Sequence, residues 1–165
     1  GGEFRHADER GKGGVLKKGW VQHTTVGSGM MHSEINNRKD LPMRFIQMWF
    51  IPLARDLEPS VEQKQVLKKE RADRFLPIVS NSHPDALKIK SDAEVYSCFL
   101  KKGKKASHAI KARRGCYLYV LEGGPIKVDN RYVSNLDAAM ITDQPAMDVT
   151  AENDAELLIV EVAIS

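Results

Sequence analysis

The sequence predicts an all-β fold, a sandwich or barrel of short antiparallel strands. From residue 76 to residue 165, apolar segments of strand length recur about every 8 to 12 residues, with turn residues between them. The clearest case is "YVLEGGPIKVDNRYVSNLDAAMIT", where a Gly-Gly turn leads to a hairpin with Asp129 and Asn130 at its tip. Only one charged segment of the chain has helical character.

Residues 5–55 form a separate β region. In it, "GGVLKKGWVQHTTV" predicts two strands around a Lys-Lys-Gly turn, with alternation through Val21 and His23. The segment "MRFIQMWFIPL" predicts a strand with apolar residues on both faces, which is typical of a strand covered on both sides. Residues 56–75 are predicted to be a linker with a short helix, over about residues 60–73.

The composition is that of an ordinary globular protein, with 42% hydrophobic and 28% charged residues and a net charge of +3. The basic segments 101–105 and 111–114 are predicted to be solvated loops, so nucleic acid is not favoured as a partner. No signal peptide and no apolar run of membrane-spanning length is present, which predicts a cytoplasmic location and no membrane partner. Cys98 and Cys116 lie in apolar strand-like segments, which favours buried free thiols, although a disulfide remains open.

The first four residues, Gly-Gly-Glu-Phe, resemble the core of a cyclic-dinucleotide cyclase motif. That motif needs a preceding strand and a whole domain around it, and here it opens the chain. We interpret residues 1–4 as a remnant of cloning and leave them out of the fold prediction.

The stretch "GSGMMHSEIN" sets His32 and Glu34 two residues apart after a glycine-rich turn. In a strand, residues i and i+2 lie on the same face, so an imidazole and a carboxylate would enter one cavity. Such a pair is half of a non-haem iron site. The spacing of Gly27 and Gly29 is similar to that of glycines in a phosphate-binding loop. No Lys and no helix follow them, so we predict a tight turn.

"GVLKKGWVQHTTVGSGMMHSEIN" and the following "LPMRFIQMWFIPLARDLEPSVEQKQ" resemble the pirin family of bicupins, which includes pirin-like quercetin dioxygenases. The Gly-x-Val-Gln turn, the Gly-x-Gly-x-x-His-Ser-Glu motif, the Gln-x-Trp strand and the Glu-Pro-x-x-Glu-Gln-Lys segment occur in family order over residues 5–66. The resemblance implies cupin-type β-barrels of the jelly-roll kind. The carboxy-terminal barrel, residues 76–165, is expected to be complete and the amino-terminal one, residues 5–55, partial.

The resemblance also implies one iron in the first barrel, held by a His-x-His pair on an earlier strand together with His32 and Glu34. The sequence begins after the position of that pair, so we expect an amino-terminal truncation and iron that is absent or weakly bound. His23 and His6 are candidates for additional ligands. For each of them, a packed or solvent-facing imidazole is the simpler interpretation.

The second barrel is expected to be metal-free, as the resemblance also implies. A cupin metal motif needs a His-x-His pair followed by an acidic residue. Here Gly103, His108 and Gly123 match the motif, but Ile110 stands where the second histidine belongs, and no acidic residue lies near Arg114.

Without the His-x-His pair, the sequence predicts a non-catalytic binding or regulatory module. The alternative is an iron-dependent quercetin 2,3-dioxygenase-type oxidoreductase with Glu34 as ligand and base. A third interpretation is a structural domain with an unrelated partner surface.

Apolar side chains of the first region, such as Trp20, Phe45 and Trp49, lack strands in this chain to cover them. We therefore expect a homodimer in which each chain covers the other's open half-barrel. The alternative is that the amino-terminal segment folds back on the second barrel. A protein partner or an aromatic small molecule is the other binding partner that we expect.

Overall fold

β-Strands account for nearly all the regular secondary structure of the chain. The computed structural model describes residues 2–9, 11 and 13–164 and divides the chain into two compact units. The dominance of strands confirms the predicted all-β class. Among the described residues, no helix has the length and apolar character needed to cross a membrane.

The first unit, Gly1–Val66 with Leu87–Ser91, contains two small antiparallel sheets. The order β2-β1-β4 forms one sheet, and β3 pairs with β5 in the other. The strands are β1 (Phe4–Asp8), β2 (Gly13–Leu16), β3 (Trp20–Thr25), β4 (His32–Asn36) and β5 (Ser60–Gln65). The predicted Lys-Lys-Gly turn does connect β2 to β3.

A tight turn precedes β4, as predicted. Gly27 has a φ of 63°, and a Cβ at this position would lie 2.0 Å from the carbonyl oxygen of Leu57. Only glycine accommodates both the left-handed backbone and the close approach. The packing of the turn therefore explains this glycine without a phosphate ligand.

The amino-terminal residues take part in the first sheet. Phe4 is the first residue of β1 and pairs with strands on both sides. The carboxylate of Glu3 accepts a hydrogen bond from the side chain of Asn37 at 2.9 Å. Leaving residues 1–4 out of the fold is therefore wrong for Glu3 and Phe4, while Gly1 lies outside the described residues.

Two predicted elements differ from the structure. Residues 43–53 form no strand, because no strand in the described part of the chain pairs with their backbone groups. The predicted helix over residues 60–73 is wrong for residues 60–65, which form β5. In the rest of the predicted helix, only four residues are helical, and they form a 3-10 helix, Lys68–Arg71. Pairing with β3 overrides the helical propensity of the Glu, Gln and Lys residues in β5.

The segment 43–53 leaves large apolar side chains in solvent. The exposed fraction is 81% for Trp49, 90% for Ile51 and 72% for Leu53. Exposure of neighbouring apolar groups on this scale is typical of a surface that another molecule covers. The pairing of two chains stays a prediction.

The second unit, Leu67–Ala86 with Asp92–Ser165, is a jelly roll of two antiparallel sheets. The larger sheet has the order β12-β9-β14-β7-β6, and the smaller has the order β11-β10-β13-β8. The strands are β6 (Leu76–Val79), β7 (Ala93–Leu100), β8 (Lys105–Ala109), β9 (Arg114–Gly123), β10 (Ile126–Val128), β11 (Arg131–Val133), β12 (Ala138–Ile141), β13 (Ala146–Ala151) and β14 (Ala155–Ala163). The regular succession of short strands that the sequence predicts for residues 76–165 is found, while residues 87–91 belong to the first unit.

The core of the second unit lies between its two sheets. Burying one such side chain contributes about 1.5 to 3 kcal/mol. Cys98 and Cys116 are buried free thiols, as predicted, and burial raises the pKa of each to about 12. The completely buried side chains of this core include Leu100, Leu118, Val120, Ile126, Val149, Leu157 and Ile159.

A buried carboxylate on β7 is held by four side chains. The hydroxyls of Ser80, Ser82 and Tyr96 and the ammonium of Lys111 donate hydrogen bonds to Glu94. Burial by itself would raise the pKa of Glu94, but the four hydrogen bonds outweigh it and lower the pKa to about 2.

We expect Glu94 to make the second unit sensitive to acid. Because its pKa lies below the model-peptide value of 4.5, Glu94 stabilises the fold above pH 4.5, and this contribution is lost as the pH falls toward 2. The contribution at neutral pH is on the order of 3 kcal/mol at most. In urea unfolding, the stability difference between the wild type and Glu94→Gln should shrink as the pH is lowered. Glu152→Gln, which changes an exposed carboxylate, is the control; a difference independent of pH would contradict the expectation.

A second expectation concerns the exposed segment 43–53. If two chains cover each other there, the double variant Trp49→Lys/Ile51→Lys should dissociate, because two charges would have to be buried in the interface. Sedimentation equilibrium at micromolar concentration measures the mass. Met140→Lys is the control, since Met140 is an 82% exposed apolar side chain of the second unit. A wild-type chain of monomeric mass would contradict the homodimer.

Candidate metal centre

Three of the predicted site residues meet on one sheet of the first unit. Strands β1 and β4 are antiparallel neighbours, with His6 opposite Glu34 and Asp8 opposite His32. Directly opposed residues share a face of a sheet, and so do residues i and i+2. All four side chains therefore project from the same side of this sheet.

His6 is the buried member of this group. Only 2% of its surface is exposed, and its Nδ1 atom has no hydrogen-bond partner in the described part of the chain. The centroid of its ring lies 5.3 Å from that of His32. Burial, and to a smaller extent the charge of His32, lower the pKa of His6, whereas Glu34 and Asp8 act in the opposite direction. His6 is thus a neutral imidazole at neutral pH, the form that binds metals.

His32 and Glu34 form the accessible part of the group. His32 Nε2 lies 3.6 Å from Glu34 Oε1, and the two side chains are 29% and 26% exposed. The amide of Gln47 donates a hydrogen bond to the same oxygen of Glu34 at 3.3 Å. Glu34 therefore contacts two neighbours through one oxygen and is still open to solvent.

The donor types on this face are those that a first-row divalent metal prefers. Two imidazoles and one carboxylate are the ligands of many non-haem iron sites, in which open positions remain for other molecules. A buried polar atom without a partner, such as Nδ1 of His6, costs about 1 to 3 kcal/mol. A cation bound at Nδ1 of His6 would remove that cost, and His32, Glu34 and Asp8 offer further donors on the same face of the sheet.

His23 lies in the other sheet of the same unit. It is on β3, opposite Glu62 of β5. Burial lowers the pKa of His23, and the charge of Glu62 partly opposes this. His23 thus lies on a different sheet from His6, His32 and Glu34, and its role as a ligand stays a prediction.

Sequence reasoning missed Asp8. This residue follows His6 by two positions, is 9% exposed and lies opposite His32. A His-x-Asp spacing in a strand puts both side chains on one face, and that spacing was the signal available in the sequence.

It also missed a buried polar cluster in the second unit. There, His108, Cys116 and Glu161 bring their donor atoms within 4.8 Å of one another. Arg114 lies beside them, so the prediction of a solvated loop for residues 111–114 is wrong at this position. Its side chain is 11% exposed, and its Nε donates a hydrogen bond to Glu161 at 2.9 Å.

Two family profiles match the chain. Residues 77–162 match the quercetinase carboxy-terminal cupin domain, and residues 1–50 match pirin. The pirin match lies in the first unit of the structure, and the cupin-domain match lies in the second unit apart from residues 87–91.

Relatives similar to almost the whole chain come from several bacteria. A protein of Pseudomonas aeruginosa with the provisional name quercetin 2,3-dioxygenase is 37% identical over 164 residues, which are 98% of this chain and 70% of that protein. A pirin-like protein of Caulobacter vibrioides is 33% identical over 98% of this chain and 70% of its own length. The quercetin 2,3-dioxygenase of Escherichia coli K12 is 26% identical over 98% of this chain and 68% of its own length.

Solved structures agree with this relationship. The bacterial pirin YhhW of Escherichia coli, solved in complex with nickel(II), superposes with a TM-score of 0.89 at 25% identity, over 99% of this chain and 69% of that one. A quercetin 2,3-dioxygenase of Acinetobacter baumannii shares the fold, with a TM-score of 0.71 at 20% identity over 99% and 62% of the two chains. These likenesses confirm the predicted cupin fold, and the chain belongs to the pirin family of cupin proteins.

Proposed function

We propose that this chain carries the metal site of an oxidoreductase of the quercetin 2,3-dioxygenase type. The observation that carries the proposal is the buried, unpartnered Nδ1 of His6 next to the His32–Glu34 pair. The names of several relatives support this activity more than they support the non-catalytic module that the sequence predicted first.

His6, His32 and Glu34 would hold the metal, which we propose to be iron. When bound, ferrous iron supplies the Lewis-acid and dioxygen redox chemistry that cleavage of a flavonol ring requires. The protein contributes the rigid pairing of β1 with β4, which keeps the three donors on one face. A donor set carried by paired strands is positioned more rigidly than one carried by loops.

Glu34 is the residue that would accept the proton of a flavonol hydroxyl. Its described contacts, from His32 and Gln47, are both to Oε1. The other oxygen, Oε2, has no described hydrogen-bond donor and is available as a general base. The hydrogen bond from Gln47 to Oε1 would hold the carboxylate while Oε2 accepts the proton.

Aromatic rings beside the site would hold a flat substrate. The rings of Phe4 and Phe45 lie 4.7 Å apart, and Phe4 stacks 6.5 Å from His6. Phe4 precedes His6 by two residues in β1 and so faces the same side. A flavonol is planar and aromatic, and packing against such rings would exclude water from it.

Metal content tests the ligand set. After incubation with ferrous iron without oxygen and then desalting, we expect about one iron per chain. His6→Ala and His32→Ala should each weaken iron binding at least about tenfold, because each removes a ligand. Elemental analysis measures the retained iron, and circular dichroism checks that the variants fold.

His23→Ala is the matched control for these variants, since His23 lies on the other sheet of the same unit. Iron binding should be unchanged in it. Unchanged iron binding in His6→Ala would show that His6 is not a ligand. A wild-type chain that retains no iron would overturn the proposal.

Flavonol turnover tests the role of Glu34. The iron-loaded chain should consume quercetin and oxygen together, and Glu34→Gln should lower kcat about 100-fold or more, because an amide of the same size accepts no proton. Oxygen uptake and loss of flavonol absorbance measure the reaction. The iron content of the variant is measured in parallel, which separates loss of the base from loss of the metal. Quercetin binding without turnover by the iron-loaded wild type would contradict the proposal and favour a binding module.

A further inference from the structure

A second group of metal-binding side chains lies inside the second unit. Cys116 on β9 and Glu161 on β14 are directly opposite each other in the larger sheet, so they share a face. His108 on β8 approaches them from the smaller sheet. Cys116 is 4% exposed, Glu161 is 1% exposed and His108 is 7% exposed. The donor atoms of the three residues lie within 4.8 Å of one another.

Neighbouring charges hold Glu161 in one orientation. Glu161 Oε2 lies 2.8 Å from His108 Nε2, while Oε1 accepts a hydrogen bond from Arg114 Nε at 2.9 Å. Arg114 also donates to Asp92 Oδ1 at 2.5 Å. One carboxylate oxygen is thus bound by the guanidinium, and the other points at His108. Outer partners of this kind orient the carboxylate and imidazole ligands of metal sites.

Aromatic rings flank His108. The ring of Tyr96 lies 4.5 Å from that of His108, and the ring of Phe75 lies 5.9 Å away. The hydroxyl of Tyr96 donates to Glu94, whose charge is balanced by Lys111. These surroundings hold the imidazole in place, exclude water and strengthen any electrostatic interaction at the cluster.

The buried charges of this group are already paired. The Glu161 carboxylate is bound by the Arg114 guanidinium, whose side chain is 11% exposed, while Asp92 on the other side of Arg114 is 56% exposed to solvent. What distinguishes the cluster is therefore its set of donor types, an imidazole, a thiol and a carboxylate enclosed together within 4.8 Å.

We propose that His108, Cys116 and Glu161 form a binding site for a divalent cation of the zinc class. Zinc binds imidazole nitrogen, thiolate sulfur and carboxylate oxygen, which are the three donors that these residues offer. In a tetrahedral site with bonds of about 2.0 to 2.1 Å, neighbouring donor atoms lie about 3.3 Å apart. His108 Nε2 and Glu161 Oε2 would therefore separate by about half an ångström from the 2.8 Å observed here. The site is independent of the cluster at His6 and of the dioxygenase function proposed for it.

The test uses the double variant His32→Ala/Glu34→Gln, so that retained metal does not come from the first unit. After incubation with zinc(II) and desalting, we expect about one zinc per chain and a higher Tm with zinc than without. Cobalt(II) in place of zinc should produce thiolate-to-cobalt charge-transfer absorption in the near ultraviolet. Such a band requires a direct bond to sulfur, so a merely structural role of the cluster would not produce it.

Two cysteine variants in the same background assign the band. Cys116→Ser should abolish it and weaken zinc binding at least about tenfold. Cys98→Ser changes the other buried free thiol and should leave both unchanged. A band that persists in Cys116→Ser would overturn the proposal. If Cys116→Ser fails to fold, the result for the double variant His32→Ala/Glu34→Gln is sufficient. The proposal is overturned if that variant retains no zinc, or if it binds cobalt without a thiolate band.

Discussion

Antiparallel strand register decides where the reactive side chains of this chain lie. It places His6 opposite Glu34 in the first unit and Cys116 opposite Glu161 in the second. A slip of one residue in either pairing would turn the side chains of the slipped strand to the other face of the sheet. Both clusters therefore depend on backbone hydrogen bonds between paired strands and not on loops, which favours rigid positioning of the donors.

The two clusters differ in burial, and burial determines what each is suited to do. His32 and Glu34 are partly exposed, so a molecule from solvent reaches them. Glu161 is 1% exposed, and His108 beside it is flanked by the ring of Tyr96. The first cluster is thus open to molecules in solvent, whereas the second is enclosed by the protein.

Local patterns predicted the second unit well and the first unit less well. In the second unit, apolar strands and turn residues alternate regularly, and strands of both sheets bury one common core. In the first unit, the apolar segment 43–53 forms no strand because none of the described strands pairs with it. The polar segment 60–65 forms one because it pairs with β3. Strand pairing outweighs local propensity in both cases, and pairing partners are not apparent from local sequence.

Local spacing was enough to recognise the all-β class, the pirin resemblance and the shared face of His32 and Glu34, because each depends only on residues close together in the chain. Tertiary structure added His6 and Asp8 to that face, and it placed His23 on another sheet. It also enclosed most of the Arg114 side chain and joined His108, Cys116 and Glu161 from three strands of two sheets. Those contacts join residues far apart in sequence, and they exist only once strand register and sheet packing are established.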